Sequence, residues 1–272
     1  METIGLIAGS GALPLIIARD VAQRHYRVVA IAIEDLAEPE IESYAHATYW
    51  INVGKLGRLI NLLHQHQIKR VIVAGKVPKT LLYKSKITPD LRAIKLLFTV
   101  KGRSDEAILN AFKEELQGEG IEIIDTTAFS PEIVTPVGLL TSIPPTQQEM
   151  KDIEYGWFIA KEIGRLDIGQ TVVVKGQAVM AVEAIEGTDE AILRGCSLAG
   201  EGAVVVKISR PNQDMRLDVP TVGMTTLENM IKGKARVLAL EAARSIIVDK
   251  VEFIKRAESA GISVVGYSGG PV

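Results

Sequence analysis

From Gln213 to Gly223 the chain reads Gln-Asp-Met-Arg-Leu-Asp-Val-Pro-Thr-Val-Gly, which places two carboxylates, a guanidinium and a carboxamide in one short segment. Asp214, Arg216 and Asp218 alternate with Met215, Leu217 and Val219, so a strand here would set the three charges on one face. Pro220 then stops it, as expected of a site at the end of a strand. A carboxylate pair beside a fixed cation can hold a divalent metal or activate water, while the cation faces a phosphate. The same pattern also suits an exposed edge strand with a local ion pair.

A second acidic stretch, Ala181-Val-Glu-Ala-Ile-Glu-Gly-Thr-Asp-Glu190, runs from a strand through a glycine turn into a helix. Thr188 or Asp189 can cap that helix, and Glu190 adds favourable charge to its first turn. Capping does not explain Glu183, whose carboxylate inside an apolar strand would be costly if unpaired. Glu183 and Glu186 are therefore candidates for a metal or a ligand hydroxyl, or for a salt bridge to Arg194 or Lys207.

Three glycine turns add candidates for anion binding. Gly9-Ser10-Gly11-Ala12-Leu13-Pro14 follows the first strand and opens the first helix, where backbone amides and the helix N-terminus can meet a phosphate. The dinucleotide fingerprint requires a third glycine where Pro14 stands, although proline early in a helix is comfortable. Glu34 and Asp35 lie beyond the second strand, where a ribose-binding acid would be sought. Gly54-Lys55-Leu56-Gly57 and Ala74-Gly75-Lys76-Val77 each couple a flexible backbone to a lysine, without forming a P-loop pattern. Together the three turns favour a ligand carrying phosphates. Each alone reads as an ordinary surface turn.

Other chemistry is poorly supplied. His64 and His66 are two residues apart and diverge on a helix, while His25 and His46 stand alone, so neither a histidine metal site nor a Ser-His-Asp triad is expected. Cys196 is the only cysteine, which excludes an internal disulfide and a thiolate cage and reads as a packed thiol. With 272 residues, 47% hydrophobic and 24% charged, the chain suits a globular protein of two domains. A net charge of −2 and 5% aromatic residues give no reason to expect nucleic acid. No apolar run approaches a membrane span and the N-terminus lacks a basic start, so a soluble, cytoplasmic protein is expected.

The positioning elements follow from periodicity. Strands at Thr3–Ala8, Val28–Ile33, Arg70–Ala74 and Ile121–Ile124 alternate with helices at Leu13–Arg24, Lys55–His66, Pro89–Val100 and Asp105–Leu116. That alternation implies an α/β fold with a Rossmann-like parallel sheet over residues 1–130. Prolines at 131, 136, 144 and 145 break the pattern, so 131–149 reads as a linker with the boundary near Pro144–Pro145. A distinct C-terminal α/β domain over 150–272 follows. It has helices at Asp152–Arg165, Asp189–Leu198 and Lys250–Ala260. Its strands are expected at Thr171–Val174, Val179–Ala184, Val204–Ile208, Val237–Leu240, Ile246–Val248 and Ile262–Val265. The tail from Gly266 to Val272 is expected to be loosely held.

With these segments in view, the chain resembles the LpxI family of UDP-2,3-diacylglucosamine pyrophosphatases. The resemblance is carried by Gly5–Pro14, Ala74–Val77, Ile163–Gln170, Ala181–Glu190 and Arg216–Gly223, of which AVEAIEGTD and RLDVPTVG are the specific ones. Asp214 departs from it, standing where some relatives are expected to carry glutamate. The resemblance implies a magnesium-dependent hydrolase of the lipid A pathway that releases UMP and 2,3-diacylglucosamine 1-phosphate. It also implies an essential aspartate in R-x-D-x-P-T, which falls on Asp218. On that basis Asp218, Asp214 and Arg216 are the expected catalytic residues, and Asp218, Asp214 and Glu183 the expected Mg2+ ligands. Gly9, Ser10, Gly11, Gly75, Lys76, Glu183, Thr188, Lys207, Gln213 and Thr221 are the expected substrate contacts. A diacyl substrate implies transient contact with the inner-membrane surface, although no amphipathic anchor stands out. A homodimer remains open, as do an NAD-dependent oxidoreductase and a non-catalytic nucleotide-sugar or lipid carrier.

Overall fold

A computed structural model describes residues 1–77, 87–99, 105–211 and 213–270. Val100, at the end of one expected helix, and Pro271 and Val272, at the end of the expected loose tail, lie outside the described residues. The chain divides into two compact units, Met1–Pro131 with Asp214–Asp218, and Glu132–Gln213 with Val219–Val272.

In the first unit, β1 (Thr3–Ala8), β2 (Arg27–Ile33), β3 (Ala47–Ile51), β4 (Arg70–Ala74) and β5 (Glu122–Ile123) form a parallel sheet in the order β3-β2-β1-β4-β5. β1 and β2 are almost wholly buried, as continuous apolar strands covered on both faces must be. Helix α2 (Leu56–Gln65) buries Leu56, Leu59, Ile60 and Leu63, the spacing that aligns side chains along one face. The unit also contains α1 (Leu13–Gln23), α3 (Leu91–Thr99) and α4 (Asp105–Gly118). The Rossmann-like expectation holds. β3 escapes a periodicity reading because it is an edge strand, half-buried along most of its length, without an apolar alternation.

The second unit is built on a six-stranded sheet of order β6-β13-β11-β9-β7-β8. Its strands are β6 (Gly138–Leu139), β7 (Thr171–Lys175), β8 (Ala178–Val182), β9 (Val204–Lys207), β11 (Val237–Glu241) and β13 (Ser263–Tyr267). β9, β11 and β13 are mutually parallel, whereas β6, β7 and β8 pair antiparallel. β10 (Thr221–Val222) and β12 (Ile246–Ile247) form a separate parallel pair. Alternate strand residues feed opposite layers. Val172, Val174, Val204 and Val206 meet α5 (Gln147–Arg165), while Val173, Val205, Leu238 and Val264 meet α6 (Thr188–Ala199), α7 (Met224–Lys232) and α8 (Lys250–Ser259). Helix α7 is absent from the periodicity reading because Thr225 and Thr226 weaken its apolar pattern, although Leu227 and Met230 are fully buried.

The structure moves the expected boundary. Residues 132–149, read from the sequence as linker, belong to the second unit. Thr135 N–H donates to Ser245 O, β6 pairs with β13, and Leu140 N–H donates to Val264 O. Prolines beside a sheet edge sacrifice no ladder bond, so a proline-rich stretch can be ordered edge rather than spacer. Helix α5 then opens at Thr146, whose hydroxyl accepts from Glu149 N–H while the Glu149 carboxylate accepts from Thr146 N–H.

Cys196 lies in the core between α6 and the sheet, and burial pushes its thiol up to about 11. We expect a thiol-reactive chromophore at pH 8 to leave the native protein unlabelled and to react in denaturant; rapid native labelling would place the thiol outside this core. A Cβ on Gly195 would lie 2.5 Å from Val173 Cβ. Gly195→Ala should therefore lower stability by about 1–3 kcal/mol in urea titration.

Candidate functional site

In the first unit the chain runs from β1 outward through β2 to β3 and then returns to β4 and β5 on the other side. The sheet therefore switches direction between β1 and β4, and the Gly9 and Gly75 turns both leave the carboxyl ends of those strands. This is where a parallel α/β sheet presents its ligand crevice. The two turns are fastened to each other. Gly9 N–H donates to Ala74 O, Ser10 N–H to Lys76 O, Lys76 N–H to Ser10 O, and Ser10 Oγ lies 3.0 Å from Lys76 O. A Cβ on Gly9 would come within 2.7 Å of Lys76 O, and one on Gly75 within 2.7 Å of Gly9 C. Close backbone approach thus accounts for both glycines, and the Gly9 and Ser10 amides are committed within the chain. Gly11 and Lys76 remain exposed at this edge.

The Gly54 turn serves the protein itself. Gly57 N–H donates to Asp90 Oδ2, Asp90 N–H donates to Gly54 O, and Asp90 Oδ1 accepts from Ala93 N–H at the start of α3. The three turns share one sheet edge, as expected, but this one receives the chain that leads into α3.

The segment expected as a strand from Asp214 to Val219 is a turn. Asp214 Oδ1 accepts from Arg216 N–H, and Asp214 O accepts from the N–H groups of both Leu217 and Asp218. An aspartate that bonds the backbone two residues on offers the chain a local alternative to a ladder. The alternating charges therefore do not share a strand face. Instead the Asp214 carboxylate grips Arg216 at two points, 2.8 Å from Nε and 2.6 Å from Nη2, and accepts from Lys113 Nζ of α4 at 3.0 Å. Arg216 above all, with Lys113, holds the Asp214 carboxyl well below the usual carboxylate range. Leu217 is buried in the core of this unit with Ile7, Val29 and Ile123. Thr126 Oγ1 lies 3.2 Å from Val73 O and 3.3 Å from Arg216 O, fixing the turn at the carboxyl end of β4. Asp218 follows directly, half-buried.

In the second unit, polar side chains collect along one edge of the six-stranded sheet. Thr171 pairs with Lys207 and Val172 with Val182, so the start of β7 and the ends of β8 and β9 share that edge. Three expected substrate contacts meet there. Glu183, 8% exposed, accepts from Thr188 Oγ1 at 2.9 Å, and Lys207 Nζ, 4% exposed as a residue, donates to the same hydroxyl at 2.7 Å. The Thr188 hydroxyl thus links a buried ammonium to a buried carboxylate, and Gln170 N–H adds a longer contact to Glu183 Oε2 at 3.4 Å. Arg194 pairs with Glu186 and donates to Val182 O, so that second acid is held structurally. Gly169 permits the corner, since a Cβ there would fall 2.1 Å from Glu183 O.

A second cluster on this edge was not legible in the sequence. Glu241, 7% exposed at the end of β11, accepts from Lys161 Nζ at 2.7 Å and from Ser209 N–H at 2.7 Å. Arg244 Nε donates to Ser209 Oγ at 3.1 Å, and Lys161 Nζ lies 4.7 Å from the centre of the Trp157 ring. Its signal is the one that marked Glu183, an acid closing an apolar strand. Gln213 and Thr221 are used locally. Gln213 Oε1 accepts from Arg210 N–H, and Thr221 Oγ1 donates to Val219 O.

Of the three carboxylates expected as metal ligands, Asp214 and Glu183 are each engaged within their own unit. Asp214 and Asp218 belong to the first unit and Glu183 to the second. The Asp214 oxygens are taken by Arg216 and Lys113, and those of Glu183 by Thr188 and Gln170. Among the described residues no group of three or more His, Cys, Asp or Glu is placed to hold a metal ion.

Residues 3–133 match the LpxI N-terminal domain and residues 136–265 the LpxI C-terminal domain. The chain is 32% identical over 277 residues to the UDP-2,3-diacylglucosamine pyrophosphatase LpxI of Caulobacter vibrioides, covering 98% of each chain. Among solved structures, a GalE-like L-threonine dehydrogenase from Cupriavidus necator matches 98% of this chain and 86% of its own at 10% identity and a TM-score of 0.34. The biotin carboxylase subunit of pyruvate carboxylase matches 73% of this chain and 42% of its own at 16% identity and a TM-score of 0.28. With both domain models in register and the Caulobacter protein aligned end to end, the chain belongs to the LpxI family.

Proposed function

We propose that this protein hydrolyses the pyrophosphate bond of UDP-2,3-diacylglucosamine to UMP and 2,3-diacylglucosamine 1-phosphate, a step in lipid A biosynthesis. The carrying observation is the end-to-end match to the Caulobacter pyrophosphatase, joined to the Arg216-Leu-Asp-Val-Pro-Thr221 segment of this chain. Hydrolysis of a phosphoric anhydride needs neutralisation of charge on two phosphates and an oriented water. The Asp214–Arg216 pair supplies a guanidinium locked in direction, its side chain 39% exposed, which suits it to a phosphate oxygen. Asp214 is a poor general base because its carboxyl stays ionised far below neutral pH. Its role is to aim Arg216. Asp218, on the last residue of the same turn, is the acid that orients the water. In the second unit the buried Lys207 acts through Thr188, whose hydroxyl it and Glu183 hold in place.

Magnesium remains part of the proposal with a smaller protein shell than three carboxylates. Such an ion keeps several waters and takes substrate phosphates as ligands, so Asp218 alone fits as the protein donor. When bound, it would withdraw charge from the phosphates. The oxidoreductase reading loses ground at the Gly9 turn, where two amides that would face a dinucleotide pyrophosphate are bonded to Ala74 and Lys76. Cytoplasmic residence fits the reading, and no helix among the described residues is long and apolar enough to cross a membrane.

Phosphorus NMR of the substrate with pure protein should show UMP and the lipid 1-phosphate forming. Asp218→Asn should slow this by at least about a hundredfold with the melting temperature unchanged; a collapse of stability instead would make Asp218 structural. Exhaustive chelation should stop turnover and added magnesium restore it, and full activity after chelation would remove the metal from the scheme. Asp214→Asn should reduce kcat and lower stability at pH 7. Because the folded carboxyl titrates below its unfolded value, that stability is complete above about pH 4 and fades in acid. The gap between variant and parent in urea titrations should therefore narrow below that pH.

A further inference from the structure

Three parallel strands of the second unit, β9, β11 and β13, end at one edge of their sheet. There, on the side that α5 covers, two cations flank the buried Glu241 carboxylate. Lys161 Nζ donates to Oε2 at 2.7 Å, and Arg244 Nε stands 3.7 Å from Oε1. Lys161 and Ser209 N–H satisfy Glu241 by bonding it directly, which Arg244 does not. Arg244 is thus a cation beyond what the buried acid requires. Of the other charges near this edge, Arg210 pairs with Asp167, and Glu154 is exposed on α5 about two turns before Lys161.

The backbone is bent to bring Arg244 there. Ala243, the residue before it, has a φ of 60°, in the left-handed region that residues other than glycine rarely adopt. Bonds from several directions hold the turn in that conformation. Ala242 N–H donates to Tyr267 O and Ala243 N–H to Thr135 O, while Ser245 Oγ lies 2.6 Å from Glu241 O and 3.0 Å from Thr135 Oγ1. Strain that the surroundings over-determine gathers at ligand sites. Arg244 itself is anchored at Nε alone, to Ser209 Oγ at 3.1 Å, with its side chain 41% exposed. Among the described residues nothing accepts from its two Nη groups. A guanidinium held at Nε and open at its Nη edge, beside an ammonium, suits a tetrahedral oxyanion. A carboxylate is satisfied by the guanidinium edge, whereas a phosphate has oxygens for both cations.

We propose that Arg244 and Lys161 form a phosphate-binding subsite at this edge of the second unit, with Glu241 as the residue that positions Lys161. The group it takes is a phosphoryl group of the pyrophosphate substrate, an assignment that rests on the reaction proposed above.

Isothermal titration of the full chain with inorganic pyrophosphate reads the subsite without turnover. The parent should bind saturably. Arg244→Gln should weaken binding by about tenfold or more at an unchanged melting temperature, because Glu241 keeps Lys161 and Ser209, and Arg244→Lys should recover part of the loss. Arg256→Gln removes the same charge from an exposed pair with Glu228 and should match the parent. The Arg244→Gln loss should persist in an Arg216→Gln background, which excludes the first unit as its source. Lys161→Gln alone would strand the Glu241 carboxylate, so it is combined with Glu241→Gln, and that pair should also weaken binding. No binding by the parent, parental affinity in Arg244→Gln, or an equal loss in Arg256→Gln would overturn the proposal. A chain that binds pyrophosphate through Arg244 yet leaves UDP-2,3-diacylglucosamine intact would instead overturn the reaction and keep the phosphate site.

Discussion

The Asp214 carboxylate is the point on which the turn from Asp214 to Asp218 depends. It closes the turn by accepting Arg216 N–H, fixes the Arg216 guanidinium in a two-point grip, and ties both to α4 through Lys113. Leu217 completes the arrangement by entering the core of the first unit between the two charged neighbours. An apolar plug and an ionic clamp in consecutive residues leave the turn little freedom, and Asp218 inherits its position from them. In the proposed reaction such rigidity would serve Arg216, because misdirected charge stabilises nothing in the transition state.

The second unit solves a different problem along its sheet edge. Glu183 and Glu241 both close apolar strands, and both would be costly there without partners. Each is matched to a lysine, but in different ways. Lys161 reaches Glu241 directly, whereas Lys207 reaches Glu183 through the Thr188 hydroxyl. The direct pair also holds Ser209 N–H, so it shapes the chain leaving β9. The bridged arrangement instead leaves a hydroxyl whose proton direction is set from both sides.

Much of this was legible in the residues. The continuous apolar runs of β1 and β2 and the spacing of Leu56, Leu59, Ile60 and Leu63 state the parallel sheet and its covering helix outright. Glu183 and Lys207 were readable as partners, and they meet through the Thr188 hydroxyl rather than directly. The Asp214 segment misled because alternation is a weak guide where an aspartate can bond its own backbone two residues on. The proline-rich stretch misled for a related reason. Its order comes from pairing with β13, a strand far along the chain, and no local pattern reports that. The Lys161–Glu241–Arg244 group was invisible as a group because it gathers residues from three separate elements.

The return of Asp214–Asp218 to the first unit has a consequence for how the protein is made. Synthesis runs from the N-terminus, and the strands of the first sheet all precede Pro131. Yet Leu217, part of that unit's core, is added only after β6 to β9 of the second sheet. The nascent first unit must therefore wait with an open position in its core while most of another sheet is translated, and only then can it close. The unit begun first is completed only when the second is already well under way, and the turn carrying Arg216 and Asp218 is the segment that completes it.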